Sequence, residues 1–139
     1  MIPVFHGLLT YVNKAGCMKV KISTNGKFHA ITVLEPVLAA NMTAALEDLC
    51  KPFLQQDVKN LLLILKDIQK IETAAAETLL GLGNLFYSNR ASFVLCEPQP
   101  AVKKFFEQNE QFDALQIAPT QSEASDIIFM EEIEREFTD

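Results

Sequence analysis

The stretch Leu61–Tyr87, LLLILKDIQKIETAAAETLLGLGNLFY, decides the fold. It opens on an unbroken apolar run, Leu61 to Leu65. A run that short cannot span a bilayer and predicts a strand buried on both faces. A polar bridge follows from Lys66 to Lys70, with Ile68 inside it. Beyond Ile71-Glu72-Thr73 the spacing turns helical: Ala75, Leu79, Leu82 and Phe86 share one stripe, with Ala76, Leu80 and Gly83 beside it. A buried strand therefore feeds a short loop, and the loop feeds a helix that starts at Thr73. Such junctions gather functional groups, because the first helical turn leaves N–H groups unpaired and carries a partial positive charge.

Upstream, Asn41 is a suitable N-cap for a helix in which Leu46, Leu49, Cys50 and Phe53 form one amphipathic face. Pro52 lies inside that pattern and predicts a kink or a restart, since it removes a helical hydrogen bond. Met18–Ile22 alternates polar and apolar residues like a half-buried strand. Thr24-Asn25-Gly26-Lys27 carries the Asn-Gly hairpin signal, and Phe28–Leu34 returns as a second strand that Pro36 ends. Residues 1–17 show no clear period.

Downstream, Asn89-Arg90-Ala91 turns out of the central helix into an apolar strand, Ser92–Cys96. Pro100 suits the first position of a short helix with Val102, Phe105 and Phe106 on its buried side. Leu115, Ile117 and Ala118 make a last short strand. Thr120 and Glu123 have capping-box spacing for a final helix, Gln121–Phe137. That helix is expected to bury Ala124, Ile127, Met130 and Phe137 and to end in acids, Glu131, Glu132, Glu134, Glu136 and Asp139. A hairpin, a helix and then three strand–helix units predict an α/β sandwich, with a mixed sheet of about five strands and about four helices.

The chain has 139 residues, is 49% hydrophobic and carries a net charge of −6. That acidity argues against sequence-independent nucleic-acid binding and against anionic lipid. No apolar run approaches the roughly 20 residues of a membrane span, so no membrane insertion is expected. Met1–Val12 lacks the basic start and cleavage signature of a signal peptide. Cys17, Cys50 and Cys96 are widely spaced, and His6 and His29 add no ligand cluster, so the expectation is reduced thiols in a cytoplasmic protein without metal. There is no phosphate-cradling glycine loop and no nucleophile elbow. No acid, base and nucleophile cluster together, so neither an enzyme nor a cofactor is expected. Gly81 and Gly83 fall inside the helix pattern, where close packing is the expected reason for them.

From Met18 to Ile133 the chain resembles the STAS domain, the fold of bacterial anti-sigma factor antagonists and of the cytosolic ends of sulphate transporters. Three segments carry the resemblance. Leu61–Leu65 followed by Ile71-Glu72-Thr73-Ala74-Ala75 is similar to the family's strand, bridge and Asp-Ser-x-Gly helix start. Phe93-Val94-Leu95-Cys96 followed by Pro100–Phe106 is similar to its fourth strand and following helix. Ser122-Glu123-Ala124 resembles the opening of its last helix. On this resemblance residues 18–139 form a STAS-like domain and residues 1–17 an N-terminal extension. The extension's apolar residues need a surface, so it either packs over the sheet or mediates self-association, a homodimer being one form of that.

The resemblance implies a regulatory protein-binding module of the partner-switching type, in which a kinase-type anti-sigma factor phosphorylates the hydroxyl residue after the acid. Thr73 matches that position. The docking surface it implies comprises Glu72, Thr73, Ala74 and Glu77, with Ala39 and Asn41 from the preceding helix start. Read from the residues alone, the Thr73 hydroxyl is an N-cap, and one hydroxyl can both cap and be modified. The chain departs from the family pattern at Glu72 (usually Asp), Ala75 (usually Gly), Ala39 (often acidic), Pro36 (often Gly) and Ile64 (often polar). Those departures admit a second reading, a constitutive, unphosphorylated STAS subunit of a larger assembly such as a lipid-transport ATPase or a stress-signalling complex.

Overall fold

The computed structural model describes the backbone of residues 6–13 and 16–137 and the side chains of residues 18–137. Its main sheet is built from β1 (His6–Asn13), β2 (Gly16–Thr24), β3 (His29–Val33), β5 (Leu61–Ile64), β7 (Phe93–Cys96) and β8 (Gln116–Ala118), ordered β1-β2-β3-β5-β7-β8. β1, β2 and β3 pair antiparallel with one another, and β3, β5, β7 and β8 pair in parallel. The mixed, largely parallel sheet expected from the strand–helix alternation is therefore present. Two-residue strands β4 (Val37–Leu38) and β6 (Lys70–Ile71) pair in parallel beside it. Helices α1 (Thr43–Cys50), α2 (Thr73–Ser88), α3 (Pro100–Glu107) and α4 (Gln121–Phe137) complete the described elements.

The local causes are those the residues carry. Asn25 closes the β2–β3 hairpin by accepting from the Lys27 and Phe28 N–H groups through Oδ1, at 2.7 and 2.9 Å. Pro52 stops α1, and the chain continues as a 3-10 turn over Lys51–Gln55, because proline cannot donate to the α ladder. Thr120 caps α4, its Oγ1 accepting from Glu123 N–H at 3.1 Å.

Alternation in β2 and β3 sends Met18, Val20, Ile22, Ile31 and Val33 into the larger core. There they meet α1 through Leu46 and Leu49, α2 through Ala75, Leu79, Leu82 and Phe86, and α3 through Val102 and Phe106. β5 is buried along its whole length, as an apolar run between two layers must be. It divides its side chains, Leu61 and Leu63 toward the larger core, Leu62 and Ile64 toward a smaller one with Val94, Cys96, Ala118, Ala124 and Ile128. Among the described residues helix α4 alone supplies that second layer, over β5, β7 and β8.

Two expectations are corrected. Residues 6–13, without period in the sequence, form β1 on the sheet edge, held by main-chain pairing from His6↔Ser23 to Asn13↔Gly16. Backbone pairing needs no alternating side chains, so the pattern gave no sign of it. Of the extension's apolar residues, Ile2, Val4 and Phe5 lie outside the described residues. In α4 the buried residues are Ala124 and Ile128, with Ile127 half-buried, whereas Met130 and Phe137 are exposed. Polar contacts set this rotation. Arg135 donates to Ser92 Oγ at 3.3 Å and Asn60 Oδ1 at 3.2 Å, and Tyr87 OH donates to the Glu131 carboxylate at 3.1 Å. The face with Glu131 and Arg135 must turn toward the sheet, which turns Met130 and Phe137 away.

Candidate functional site

The polar bridge after β5 positions the start of α2. Gln69 N–H and Lys70 N–H donate to Pro36 O at 2.7 and 3.2 Å, and Glu72 N–H donates to Leu38 O at 2.9 Å. These bonds and the β4–β6 pair lay the segment before α1 alongside the segment before α2. Glu72 closes the arrangement: its Oε1 accepts from Ala40 N–H at 2.6 Å. A carboxylate accepting from a backbone N–H is a charge-assisted bond, shorter and stronger than a neutral one.

The site residues read from the sequence are thereby brought to one end of the molecule. Glu72 is the N-cap of α2, half-buried, with extended backbone at φ −92° and ψ 149°. Thr73 and Ala74 follow as the first two helical residues, both exposed, and Glu77, one turn on, is exposed on the same face. Ala39 is half-buried and Asn41 exposed, on either side of the Ala40 that Glu72 grips.

Two expectations about caps are corrected. Asn41 is not an N-cap: it lies within a 3-10 turn, Ala40–Met42, that leads into α1 at Thr43, and no side chain caps either start. Thr73 is not an N-cap either, since it stands inside the helix at its first position and Glu72 occupies the cap. With Glu72 drawn to Ala40, the N–H groups of the first turn of α2 have no side-chain cap, so they retain their partial positive charge. The Thr73 hydroxyl makes no hydrogen bond among the described residues.

Ala75 and Ala76 are fully buried against the sheet, so the departure at Ala75 leaves the exposed surface unchanged. Ala74, Glu77, Thr78 and Gly81 continue the site along α2 into a groove of about 560 Å³ against Thr43, Glu47 and Lys51 of α1 and its following turn. A Cβ added at Gly81 would meet nothing within 4 Å, whereas one at Gly83 would lie 3.5 Å from Leu115 Cδ2. Both positions would accept a Cβ, that at Gly83 in ordinary van der Waals contact, so the expectation that close packing requires these glycines is corrected.

Cys17 and His6 have side chains outside the described residues; the other cysteines and histidine are structural. Burial pushes the Cys50 and Cys96 thiols up to about 12, with the Glu97 carboxylate adding to the effect on Cys96. Both stay protonated and poor nucleophiles. His29 is buried, its Nε2 2.8 Å from Val58 O and its Nδ1 2.9 Å from Thr24 Oγ1. That pairing suits the neutral ring with Nε2 donating. Desolvation lowers its pKa, partly offset by the bond to Val58. Among the described residues no three His, Cys, Asp or Glu side chains are placed to hold a metal ion, and no helix is long and apolar enough to cross a membrane.

The sequence pattern of the STAS domain matches residues 19–124. The chain belongs to the STAS domain family. No curated protein matches the STAS chain. Among solved structures, an anti-sigma factor antagonist from Mycobacterium paratuberculosis superposes with a TM-score of 0.69 at 11% identity, over 84% of this chain and 97% of that one. The anti-sigma factor antagonist SpoIIAA in its unphosphorylated form superposes with a TM-score of 0.63 at 14% identity, over 78% and 95%. The murine anion transporter Slc26a9 matches with a TM-score of 0.61 at 12% identity, over 91% of this chain but 23% of the transporter. At such identities the likeness establishes the fold.

Proposed function

We propose that this STAS domain is a regulatory protein-binding module that docks a kinase-type anti-sigma factor through the start of α2. It binds rather than catalyses. The observation that carries the reading is Thr73, exposed, with an unengaged hydroxyl at the first position of α2, beside the Ala39–Asn41 turn that Glu72 holds in place. Contact surfaces from two segments then meet around one hydroxyl.

Phosphorylation of Thr73 supplies the switch. Its Oγ attacks the γ-phosphorus of ATP bound by the partner, the bond to the β,γ-bridging oxygen breaks, ADP leaves, and the threonine proton passes to a base of the kinase. The product adds about −1.5 to −2 charge beside Glu72 and Glu77. The helix start accommodates the phosphate within the chain, while a partner seated on the bare helix end meets new negative charge and must leave. The test is incubation with the kinase-type anti-sigma factor of the same organism and ATP, then mass spectrometry. Phosphate on Thr73 and loss of binding in Thr73→Asp are expected, and an unmodified Thr73 removes the switch.

One observation favours the second reading, a constitutive subunit of a larger assembly. The Glu72 carboxylate is engaged with Ala40 N–H instead of being presented to a kinase. That reading predicts equal partner affinity for wild type, Thr73→Ala and Thr73→Asp.

A further inference from the structure

On the face of the sheet opposite α1 and α2, the second layer is half built. Helix α4 lies over β5, β7 and β8, and no described helix lies over β2 and β3 on that side. A helix is about 10 Å across with its side chains, so this face has the profile of a step. At its foot is a recess of about 670 Å³ of mixed lining, with Phe28, Ala30, Leu34 and Ile64 among more numerous polar groups that include Lys21, Lys66 and Asp67.

The wall of the step carries a second unpartnered surface. Phe129, Met130, Ile133 and Phe137 are 39%, 61%, 53% and 82% exposed. At 100° per residue they occupy one stripe of α4, on the side opposite Ala124 and Ile128, so the stripe points away from the chain's own sheet. Phe129 leans toward the recess, its ring 6.4 Å from that of Phe28, so the stripe meets the recess at that ring pair. Four large apolar side chains together on one exposed face mark an interaction site more than scattered singles do.

The charges select the occupant. Helix α4 carries six carboxylates against Arg135 alone, a net −5 in a chain whose total is −6. Glu134 and Glu136 flank the stripe, and two such helices packed directly stripe to stripe would repel. The recess offers two ammonium groups, Lys21 and Lys66, against one carboxylate, Asp67. An acidic helix with an apolar stripe and a mixed recess of net positive charge therefore stand side by side on the same face.

We propose that the occupant is a second copy of this chain, related by a two-fold axis, with α4 of each copy lying in the recess over β2 and β3 of the other. The step profile makes the two faces interlock. Each stripe, directed away from its own sheet, meets the sheet of its mate, and each recess receives the helix it lacks. The two helices lie side by side between the two sheets, and the contact is isologous, as a closed dimer requires. It lies on the opposite side of the sheet from α2, so it leaves the Thr73 surface open in both copies.

The test is sedimentation equilibrium of the full chain with surface variants, folding being checked by circular dichroism. Wild type forms a dimer. Ile133→Asp weakens it about tenfold or more, as the loss of an interface anchor does. The pairs Lys21→Glu/Lys66→Glu and Glu134→Lys/Glu136→Lys each weaken self-association, because each places like charges at both halves of its own dimer. Mixing the two restores the dimer, since every helix–recess contact in the mixed species again joins opposite charges. A wild-type chain that stays monomeric, whether Met1–Phe5 or a different protein covers the stripe, overturns the proposal. A dimer indifferent to these substitutions, or no restoration on mixing, overturns it as well.

Discussion

Removing the Glu72 carboxylate tests how the docking surface is assembled. The bond from Ala40 N–H to Glu72 Oε1 is 2.6 Å long and joins residues 32 apart in the chain. A hydrogen bond to a charged group contributes about 1.5–3 kcal/mol. Here Ala40 is exposed and Glu72 half-buried, so water partly replaces the lost acceptor, and the loss in Glu72→Ala is expected near the low end, about 1–1.5 kcal/mol. For a chain of this size that lowers the melting temperature by about 3–6 °C. Glu72→Gln keeps an acceptor without the charge and loses about half as much. The assay is thermal unfolding by circular dichroism with amide hydrogen exchange by NMR. Exchange at Ala40 accelerates in Glu72→Ala while the β5 and β7 amides stay protected. Partner affinity falls along with it, since Ala39 and Asn41 lose their fixed place beside Thr73. An unchanged melting temperature and an unchanged Ala40 exchange rate would refute the reasoning.

Three further outcomes follow from the packing. Gly81→Ala should stabilise the chain by about 1 kcal/mol, the helix-propensity difference, because its Cβ enters open space. Gly83→Ala should gain at least as much, its Cβ entering ordinary van der Waals contact 3.5–3.6 Å from Leu115 and Phe93; denaturant melts compare the two. Phe86→Ala should cost about 3–5 kcal/mol, since Phe86 is fully buried with its ring 5.3 Å from that of Phe93. For His29, whose folded-state pKa lies below the ordinary 6.5, the unfolded chain binds the extra proton. Stability should therefore rise with pH through the histidine range and fall as pH drops below about 6.5. His29→Gln should flatten that slope between pH 5 and 7, and an unchanged difference in melting temperature across the window contradicts the assignment.

The elements legible in the sequence were those whose side chains repeat with the period of their backbone. The unbroken Leu61–Leu65 run and the Ala75, Leu79, Leu82, Phe86 stripe placed β5 and α2 and, with them, the strand-to-helix junction at Thr73. Strands β4 and β6 escaped notice because two residues carry no period, yet their pairing and the Glu72–Ala40 bond are what bring the α1 and α2 starts together. Asn41 and Thr73 are good capping residues by type, but capping depends on backbone position, and that was fixed by the 3-10 turn at Ala40 and by Glu72. The α4 rotation was hidden because Ile127, Ile128, Phe129 and Met130 are four apolar residues in a row, which leaves the helical phase undefined. Arg135, reaching Ser92 and Asn60, decides that phase through a contact with no local signal.

We propose the start of α2 as the surface another protein reads. Its most direct measurement is an NMR titration of the isotope-labelled chain with the kinase-type anti-sigma factor of the same organism. Docking at the start of α2 requires that the amides of Ala40, Asn41, Thr73, Ala74 and Glu77 shift or broaden first and furthest. Perturbations confined to other surfaces, with Thr73 and its neighbours unmoved, would contradict it.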